Sequence, residues 1–546
     1  MFHIITFVIF YTLIFLVGRG TVSLFNISIN QNSPEEKTLF NIPIHYFYVI
    51  IGLFYIGNLT FIFNFFFKTN TLIYQVLLFS VILFNLPWRL KFRFDFLSLF
   101  NFILLPSILG ISTIEMGLAY DAGLYHLNNQ LWIRESNVAI GFYNLHFRYG
   151  FSSIIEYISA NFWLDDKYYL LHYVNLSFIA SFFGIISFNI FKNKSGFLKS
   201  SSYFLIVFGI LDNFGFSGGR NGFFDIESVT KQDTPFAILF YLSNIFLIYR
   251  LINKNLSKSE LFYLSLIILF SIEMRIFGAS TLVLYFIVIL FNKSLSVGKF
   301  YAILPTILIG SLWLIKNVLI SACLFFPVSF TCLNKLSWYS KNSASSEMDA
   351  LKDFHIGYYF GTPISSWFSN WYSKEINSVV SRNFILSFLL IVIVSIIINR
   401  RGNKNISKKD FLIIYLYLVF ITIAWIISSP GIRLGLGVFT LIVGCVGLIF
   451  QDLEFKIKQL NNKALLYFLI IISTLLMPRI SNYTSFLQNP FYFNELNAPT
   501  TNYVIKDGYG VYPAEGSQCW VKFDCVQNNK YIEESNILIF DIFSTK

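Results

Sequence analysis

The chain has 546 residues, of which 55% are hydrophobic and only 13% are charged, and its net charge is +11. Soluble domains carry about 25% charged residues, so this composition excludes an ordinary soluble enzyme and indicates a membrane protein. The basic excess does not indicate a nucleic-acid partner, because the Lys and Arg residues fall in short loops between apolar runs, as in the cytoplasmic loops of membrane proteins.

Apolar segments recur along the whole chain and predict membrane-inserted helices. They lie near residues 2–18, 45–66, 71–87, 97–114, 168–190, 201–214, 234–250, 261–273, 279–292, 300–318, 383–399, 411–428, 435–450 and 464–477. The first segment has no basic region or small-residue cleavage site, so we interpret it as a retained helix. The sequence therefore predicts an all-α polytopic membrane protein with about fourteen membrane segments.

Six short basic loops set the predicted orientation. They contain Arg89, Lys91 and Arg93; Lys192, Lys194 and Lys199; Arg250, Lys254 and Lys258; Lys293 and Lys299; Arg400, Arg401, Lys404, Lys408 and Lys409; and Lys456, Lys458 and Lys463. If all six face the cytoplasm, both chain ends lie outside the cell, and so do loops 115–167, 215–233, 319–382 and 429–434.

These loops divide the chain. The predicted parts are N-terminal transmembrane helices at 1–114, a first large outside loop at 115–167, core helices at 168–318, an outside loop at 319–382, C-terminal helices at 383–477 and an external tail at 478–546. Residues 261–292 interrupt the regular pattern, because Glu273 and Arg275 are costly at membrane depth unless they are paired or face water. We predict two short helices that turn near Gly278 beneath a water-filled cavity.

The first outside loop holds the densest group of polar and aromatic residues, in the runs Tyr120–His126 and Gly141–Ser153. A carboxylate such as Asp121 at a membrane boundary can act as a general base toward a hydroxyl, and Arg148 suits a phosphate. The alternative is an interfacial aromatic belt in which Asp121 only caps a helix.

Smaller polar clusters follow in the later outside loops. Loop 215–233 is rich in glycine and contains Asp225 and Asp233, although a plain flexible loop is an equal interpretation. Lys316 ends a predicted span and would otherwise snorkel to the membrane surface, and Arg433 lies in a tight outside hairpin. No nucleotide-binding motif is present, which disfavours an NTP-driven pump.

Four of the five cysteines fall in predicted outside segments. Their short separations favour the pairs Cys323–Cys332 and Cys519–Cys525, as expected in an oxidising periplasm; the alternative is free thiols. Cys445 lies within a predicted span and is expected to be a packed core thiol.

The motifs together resemble the GT-C superfamily of glycosyltransferases, which take a sugar from a polyprenyl-phosphate carrier on the outer face of the membrane. More closely, the chain resembles an uncharacterised family of bacterial polytopic membrane proteins found with surface-polysaccharide genes. The resemblance rests on Tyr120–His126, Trp132, Gly141–Ser153, Asp233 with Pro235, Trp313–Asn317, Pro430 with Arg433, and the tail residues Cys519, Trp520 and Cys525. Many GT-C enzymes have a second acid where this chain has Ala122, and Lys316 stands where the resemblance predicts an Arg.

The resemblance implies a GT-C-like transmembrane bundle in a bacterial inner membrane, with amphipathic helices in the first outside loop. It implies an inverting transfer in which Asp121 is the catalytic base and a surface glycan or glycolipid is the acceptor. Apart from the resemblance, His126 is the alternative base, since an imidazole can do the same work near neutral pH. The residues implied to bind substrate are Tyr125, His126, Asn144, His146, Arg148 and Asp233, and those implied to bind the lipid phosphate are Arg275, Lys316 and Arg433. No cofactor is required; a divalent metal held by Asp121 with Asp225 or Asp233 stays open.

Two other functions remain open from the sequence. One is a surface-polysaccharide polymerase or ligase that uses diphosphate-linked glycans, which would need the same outside arginines. The other is a transporter or flippase, which would place its polar residues near the bilayer midplane on broken helices. The polar residues here lie mostly in outside loops, which favours a transferase.

Overall fold

The structure is a computed structural model. It describes residues 1–29, 38–85, 96–214, 232–254, 256–291, 297–341, 345, 347–348, 363–398, 406–428, 430–449, 480–493, 495–505, 507–527 and 531–545.

The described chain is mostly helical. Its α-helices are α1 (Phe2–Ile29), α2 (Tyr48–Asn64), α3 (Leu72–Ser80), α4 (Phe96–Leu99), α5 (Leu105–Ile111), α6 (Leu127–Glu135), α7 (Ile154–Ser159), α8 (Leu170–Phe191), α9 (Gly196–Phe214), α10 (Asp233–Asn253), α11 (Lys258–Met274), α12 (Thr281–Phe291), α13 (Val297–Ser321), α14 (Ile364–Ser373), α15 (Glu375–Ile398), α16 (Lys408–Ser428), α17 (Leu436–Cys445) and α18 (Ile480–Gln488). Three antiparallel hairpins complete it: β1 (Thr38–Leu39) with β2 (Ile42–Pro43), β3 (Tyr503–Ile505) with β4 (Val511–Pro513), and β5 (Ile532–Ile537) with β6 (Phe540–Thr545).

Six described helices are long and apolar enough to cross a membrane, as expected of a helical membrane protein. They are Phe2–Phe25, Ile44–Asn64, Leu170–Phe191, Asp233–Asn253, Phe300–Ser321 and Lys408–Ser428. Shorter apolar helices occur at Leu72–Asn85, Phe96–Ile111, Ile276–Phe291, Phe384–Ile393 and Leu436–Leu448. The structure thus supports six of the fourteen predicted segments at full spanning length, and the segment 464–477 lies outside the described residues.

Helix α10 lies at the centre of the helical part. It packs against α8, α11, α12 and α17, and its side chains are buried along nearly the whole length. A helix that is apolar on all sides in this way belongs in the interior of a bundle rather than at its surface. Asp233, at the start of this helix, and Arg250, in its last turn, therefore lie at opposite ends of the bundle.

The predicted interruption near Arg275 is present. Helix α11 ends at Met274, Arg275 is extended, and a 3₁₀ turn at Ile276–Ser280 leads into α12. The turn folds back tightly on α11, since a Cβ added to Gly278 would lie 2.6 Å from the carbonyl oxygen of Ser271. Only glycine fits there without a backbone shift, which accounts for a break at this position.

The first outside loop contains short helices, as expected, but α6 is not laid on an open surface. Six of its nine residues are buried, because the C-terminal tail covers it. The ring of Trp132 stacks on that of Phe523 with centroids 4.0 Å apart, and the backbone of Ile140 exchanges hydrogen bonds with Asp541 and Phe543. Aromatic stacking and strand-like pairing thus fix the tail to the loop.

Two disulfides lie on the same side of the molecule as this loop. The structure has the bonds Cys323–Cys332 and Cys519–Cys525, while Cys445 is a buried free thiol. The Cys519–Cys525 loop presents the ring of Trp520 to the chain at Gly123, where a Cβ would lie 2.5 Å from a ring atom. The tail therefore contacts the Tyr120–His126 run directly.

Candidate functional site

Asp121 precedes a single π-helical turn at Ala122–His126 and does not cap it: its side chain accepts no backbone hydrogen bond there. The carboxylate is 28% exposed and makes no hydrogen bond to the described residues. A capping carboxylate would bond to the N–H groups of the first turn. The structure therefore does not support the interpretation of Asp121 as a helix cap and leaves its oxygens available to a ligand.

Arg148 is the nearest cation to Asp121. Its Nη1 lies 3.7 Å from Oδ1 of Asp121, and its Nε lies 3.9 Å from Oε2 of Glu347. Both separations are too long for a hydrogen bond, and the guanidinium makes none with the described residues. Its N–H groups are thus held between two carboxylates yet stay unused, which suits a ligand with several acceptor oxygens, such as a phosphate.

The ring of Tyr125 lies at the centre of these charges. The guanidinium of Arg148 is 5.1 Å from the ring centroid. Burial raises the pKa of the Tyr125 phenol above its usual range, the negative charges of Asp121, Glu156 and Asp233 raise it further, and Arg148 opposes them. The phenol therefore stays protonated at neutral pH and can donate a hydrogen bond among four charged groups.

Asp233 reaches the same region from the start of α10. It forms an ion pair with Arg275, and the Arg275 guanidinium lies 5.3 Å from the centroid of the Phe236 ring. Nη1 of Arg275 is buried and has no hydrogen-bond partner among the described residues. Ser153, at the end of the second motif, donates a 2.9 Å hydrogen bond to the carbonyl of Met274, so the first outside loop is tied to the chain beside Arg275.

His126 belongs to a buried hydrogen-bond chain. Its Nδ1 bonds to Glu156, and Gln130 donates to the other carboxylate oxygen at 2.8 Å. The indole of Trp163 donates to Gln130 at 2.7 Å. The ring of His126 packs on that of Tyr125 with centroids 4.0 Å apart. The buried hydrogen-bond chain therefore contacts the site through His126.

Three predicted site residues are engaged elsewhere. Lys316 is fully buried; its Nζ donates to the carbonyl of Ser152 at 3.3 Å and lies 4.2 Å from the Tyr157 ring centroid. The amide of Asn144 donates to the carbonyls of Trp338 and Phe543, an arrangement that orders the loop. The assignment of Lys316 to the lipid phosphate stays a prediction, and this buried position does not bring its ammonium to the surface beside Asp121.

His146 is the third predicted site residue that makes contacts elsewhere. Its Nδ1 accepts the backbone N–H of Arg148 at 3.1 Å, and its ring lies 5.3 Å from that of Tyr149. Burial and the Arg148 charge lower the pKa of His146 to about 3. His146 is therefore a neutral acceptor that shapes the turn from which Arg148 projects.

Asp225 and the side chain of Arg433 lie outside the described residues. Within the described part of the chain, no group of three His, Cys, Asp or Glu residues is arranged to hold a metal ion. Asp233, one partner suggested for a metal with Asp121, is ion-paired with Arg275.

The comparisons with known proteins place the chain in one family. A family model described as a domain of unknown function, DUF8201, matches residues 1–441. The chain belongs to this family. No curated protein and no solved structure matches it. The DUF8201 match spans Asp121, Arg148, Asp233 and Arg275, whereas the tail with its disulfide follows the matched region.

The tail of this DUF8201 member closes one side of the site. Tyr120 and Ser517 share a 2.6 Å hydrogen bond between their hydroxyls, and Gln518 donates to the Tyr120 carbonyl at 2.9 Å. Gln527 donates to the carbonyl of Leu124 at 2.9 Å. The backbone around Asp121 and Tyr125 is therefore held from outside by the segment next to the Cys519–Cys525 loop.

Glu156 and Glu347 are site residues that no sequence motif predicted. Glu347 lies in the 319–382 loop in no recognisable motif, and burial raises its pKa to about 8 while Arg148 pulls it down. Glu156 follows the second motif within an apolar stretch. The presence of an acid among apolar residues was the one signal in the sequence that could have identified it. A buried acid at that position requires a partner, and the structure provides His126 and Gln130.

Proposed function

We propose that this protein is an integral membrane glycosyltransferase that moves a sugar from a polyprenyl-phosphate carrier to a surface glycan or glycolipid. The observation that carries the proposal is the pair of Asp121 and Arg148: a partly exposed carboxylate and a guanidinium 3.7 Å apart, neither hydrogen-bonded to the described protein. One supplies a base and the other an anion-binding group, which are the two functions that such a transfer requires.

The proposed reaction uses both groups. The acceptor hydroxyl attacks the anomeric carbon, Asp121 takes the hydroxyl proton, and the bond from the anomeric carbon to the phosphate oxygen breaks with inversion. The departing polyprenyl phosphate keeps the electron pair of that bond, and Arg148 stabilises its charge. Preorganised cations in a partly dehydrated site stabilise such charge more strongly than water does.

Tyr125 and Arg275 complete the proposed site. The Tyr125 phenol can donate a hydrogen bond to a sugar or phosphate oxygen, and its ring offers an apolar face of the kind that packs on sugar rings. Nη1 of Arg275 supplies a second unpartnered cationic donor. The six helices that are long and apolar enough to cross a membrane would hold the protein in the bilayer, where the polyprenyl tail of the donor lies.

The substitution Asp121→Asn tests the proposal, because it keeps the shape of the side chain and removes the base. We expect transfer to fall by about 10²–10⁴-fold while the protein still folds, since Asp121 makes no hydrogen bond that stabilises the loop. The measurement is mass spectrometry of surface glycans from a deletion strain that expresses each variant, together with thermal melting of the purified protein.

Asp166→Asn is the matched control, since Asp166 is an exposed acid in the same predicted outside loop. Its glycans should equal those of the wild type. Normal glycans from Asp121→Asn would refute the role of Asp121. A change in chain length, with every sugar linkage intact, would instead identify a polymerase.

The proposed location on the outer face of a bacterial inner membrane has a separate test. An alkaline phosphatase fused after Ser517 should be active, because that enzyme folds in the oxidising periplasm. A fusion within the basic loop 400–409 should be inactive. The reverse pattern would place the Asp121 site in the cytoplasm, where a polyprenyl-phosphate sugar facing outward is not accessible.

A further inference from the structure

The hydrogen-bond chain below the site has a defined direction. An indole N–H can only donate, so the 2.7 Å contact from Trp163 places the amide oxygen of Gln130 toward Trp163. The NH₂ group of Gln130 must then face Glu156, to which it donates at 2.8 Å. Glu156 accepts at that oxygen, and its other oxygen bonds to Nδ1 of His126.

Glu156 and Gln130 are closed off from solvent, so their polar atoms must find hydrogen-bond partners within the protein. Glu156 is 3% exposed, Gln130 0% and His126 4%. A carboxylate that accepts from Gln130 on one oxygen accepts the Nδ1–H of His126 on the other. The arrangement therefore keeps a proton on Nδ1 and leaves Nε2 with its lone pair in the neutral imidazole.

Nε2 of His126 is the open end of this chain. It makes no hydrogen bond to any residue that the structure describes. It is also not fully buried, so a ligand can reach it. The phenol oxygen of Tyr125, the neighbouring side chain, also makes no hydrogen bond to a described residue and is not fully buried. A donor and an acceptor thus lie side by side next to Arg148, which matches a sugar hydroxyl that both donates and accepts.

We infer that Glu156 is a positioning residue that fixes His126 in the Nδ1–H form, so that Nε2 accepts a hydrogen bond from a substrate hydroxyl. The second half of this inference rests on the glycosyltransferase proposed above, whereas the first half does not. Asp121 remains the base, and His126 holds and orients the sugar. A protein carboxylate commonly sets the tautomer of a functional histidine in this way.

The substitution Glu156→Gln gives a sharp test because Gln130 cannot turn around. The new amide has to offer its oxygen to the NH₂ of Gln130, and its own NH₂ then faces Nδ1 of His126. Nδ1 becomes an acceptor and the proton moves to Nε2. The variant keeps the volume and the hydrogen bonds of the chain, so it should fold, but Nε2 now donates where the substrate also donates.

The tautomer is measured by nitrogen NMR on the full-length protein in lipid nanodiscs, with its six histidines labelled and the His126 signal identified from its loss in His126→Asn. At pH 8.5, above the usual imidazole range, the wild type should show Nδ1–H and Glu156→Gln should show Nε2–H. The wild type in the Nε2–H form, or no reversal in the variant, would overturn the positioning role.

Function is measured as the rate at which membranes from the complemented deletion strain modify their own surface glycan. Glu156→Gln and His126→Asn should each lower this rate about tenfold, the value of one hydrogen bond to substrate, with melting temperatures near that of the wild type. A reversed tautomer with an unchanged rate would overturn the contact with substrate. Tautomers as expected, with full activity in Asp121→Asn, would instead overturn the proposed base and leave the positioning role intact.

Discussion

The two ends of the paired helices α10 and α11 each carry an arginine and a carboxylate, but the acids near the two ends differ in how many hydrogen bonds they accept. At one end, Arg250 pairs with Glu260, and Glu260 also accepts from the backbone N–H of Phe40 at 3.0 Å and from Ser257. Lys254 and Asp410 lie beside them, 3.5 Å apart. At the other end, Arg275 pairs with Asp233, and Asp121 in the same region makes no hydrogen bond to the described residues.

Arg148 extends the contrast, because its guanidinium makes no hydrogen bond to the described chain although two carboxylates lie within 4 Å. A saturated carboxylate such as Glu260 stabilises the fold and has little capacity left for a ligand. Asp121, which is partly exposed and makes no hydrogen bond to the described residues, keeps its oxygens available to a ligand. We therefore interpret the Arg250 end as structural and the Asp121 end as functional.

Breaking each type of pair should separate the two interpretations. Arg250→Met leaves Glu260 buried without its cation, which should cost about 3–5 kcal/mol of unfolding free energy. Arg148→Met removes a partly exposed pair at 3.7 Å that is worth at most about 1 kcal/mol, yet it should abolish sugar transfer to the surface glycan. Thermal melting and glycan mass spectrometry on both variants make the comparison. Large destabilisation by Arg148→Met with unchanged glycans would reverse our interpretation of the Asp121 end.

The contact of the tail with the Asp121 end gives a second, smaller effect. In Gly123→Ala the new Cβ would lie 2.5 Å from the ring of Trp520, so the ring and the Cys519–Cys525 loop must shift. Overpacking of this kind costs about 1–3 kcal/mol. Gly117→Ala is the matched control, since nothing lies within 4 Å of its Cβ position.

Limited proteolysis of the tail measures the shift. Gly123→Ala should be cleaved faster than the wild type within residues 507–527, and Gly117→Ala at the wild-type rate. Equal rates for all three proteins would show that the tail does not rely on the Trp520 contact. The Arg250 end should be unaffected in either variant, because it lies at the far ends of α10 and α11.

The pH dependence of stability should also report on two buried groups at the Asp121 end. The pKa of His146 falls from 6.5 to about 3 on burial, so the unfolded chain takes a proton first as the pH drops. Stability is therefore complete above pH 6.5 and is lost between pH 6.5 and about 3, by about 1.4 kcal/mol per pH unit while the group titrates.

Glu347 changes the stability with pH in the opposite direction to His146. Its pKa rises from 4.5 to about 8 on burial, so the folded protein holds the extra proton and stability falls as the pH rises from 4.5 to 8. The two slopes oppose each other between pH 4.5 and 6.5. Melting temperatures across this range should be nearly flat in the wild type, fall toward acid in Glu347→Gln, and fall toward alkali in His146→Gln. Identical profiles for the three proteins would contradict both burial effects.

The sequence alone determined the features that depend on local pattern. Runs of apolar residues indicated the helical membrane class, because a bilayer requires long apolar helices whatever their neighbours are. Glu273 and Arg275 at membrane depth indicated a break, and the structure has it at Arg275 and Gly278. The short separation of Cys519 and Cys525 indicated their pairing, because a closed loop of a few residues needs no distant contact.

Only the tertiary structure decided how distant side chains meet. The partner of His126 lies 30 residues along the chain in Glu156, and Trp520 reaches Gly123 from a tail about 400 residues away. The full burial of Lys316 depends on Tyr157 and Ser152 packing over it, which no property of its own segment reveals. Hydropathy and spacing indicate which residues must leave water. The packing of the loops and the tail decides which polar groups of the described chain keep an unused hydrogen bond, and at this site those groups include Asp121, Arg148 and Nε2 of His126.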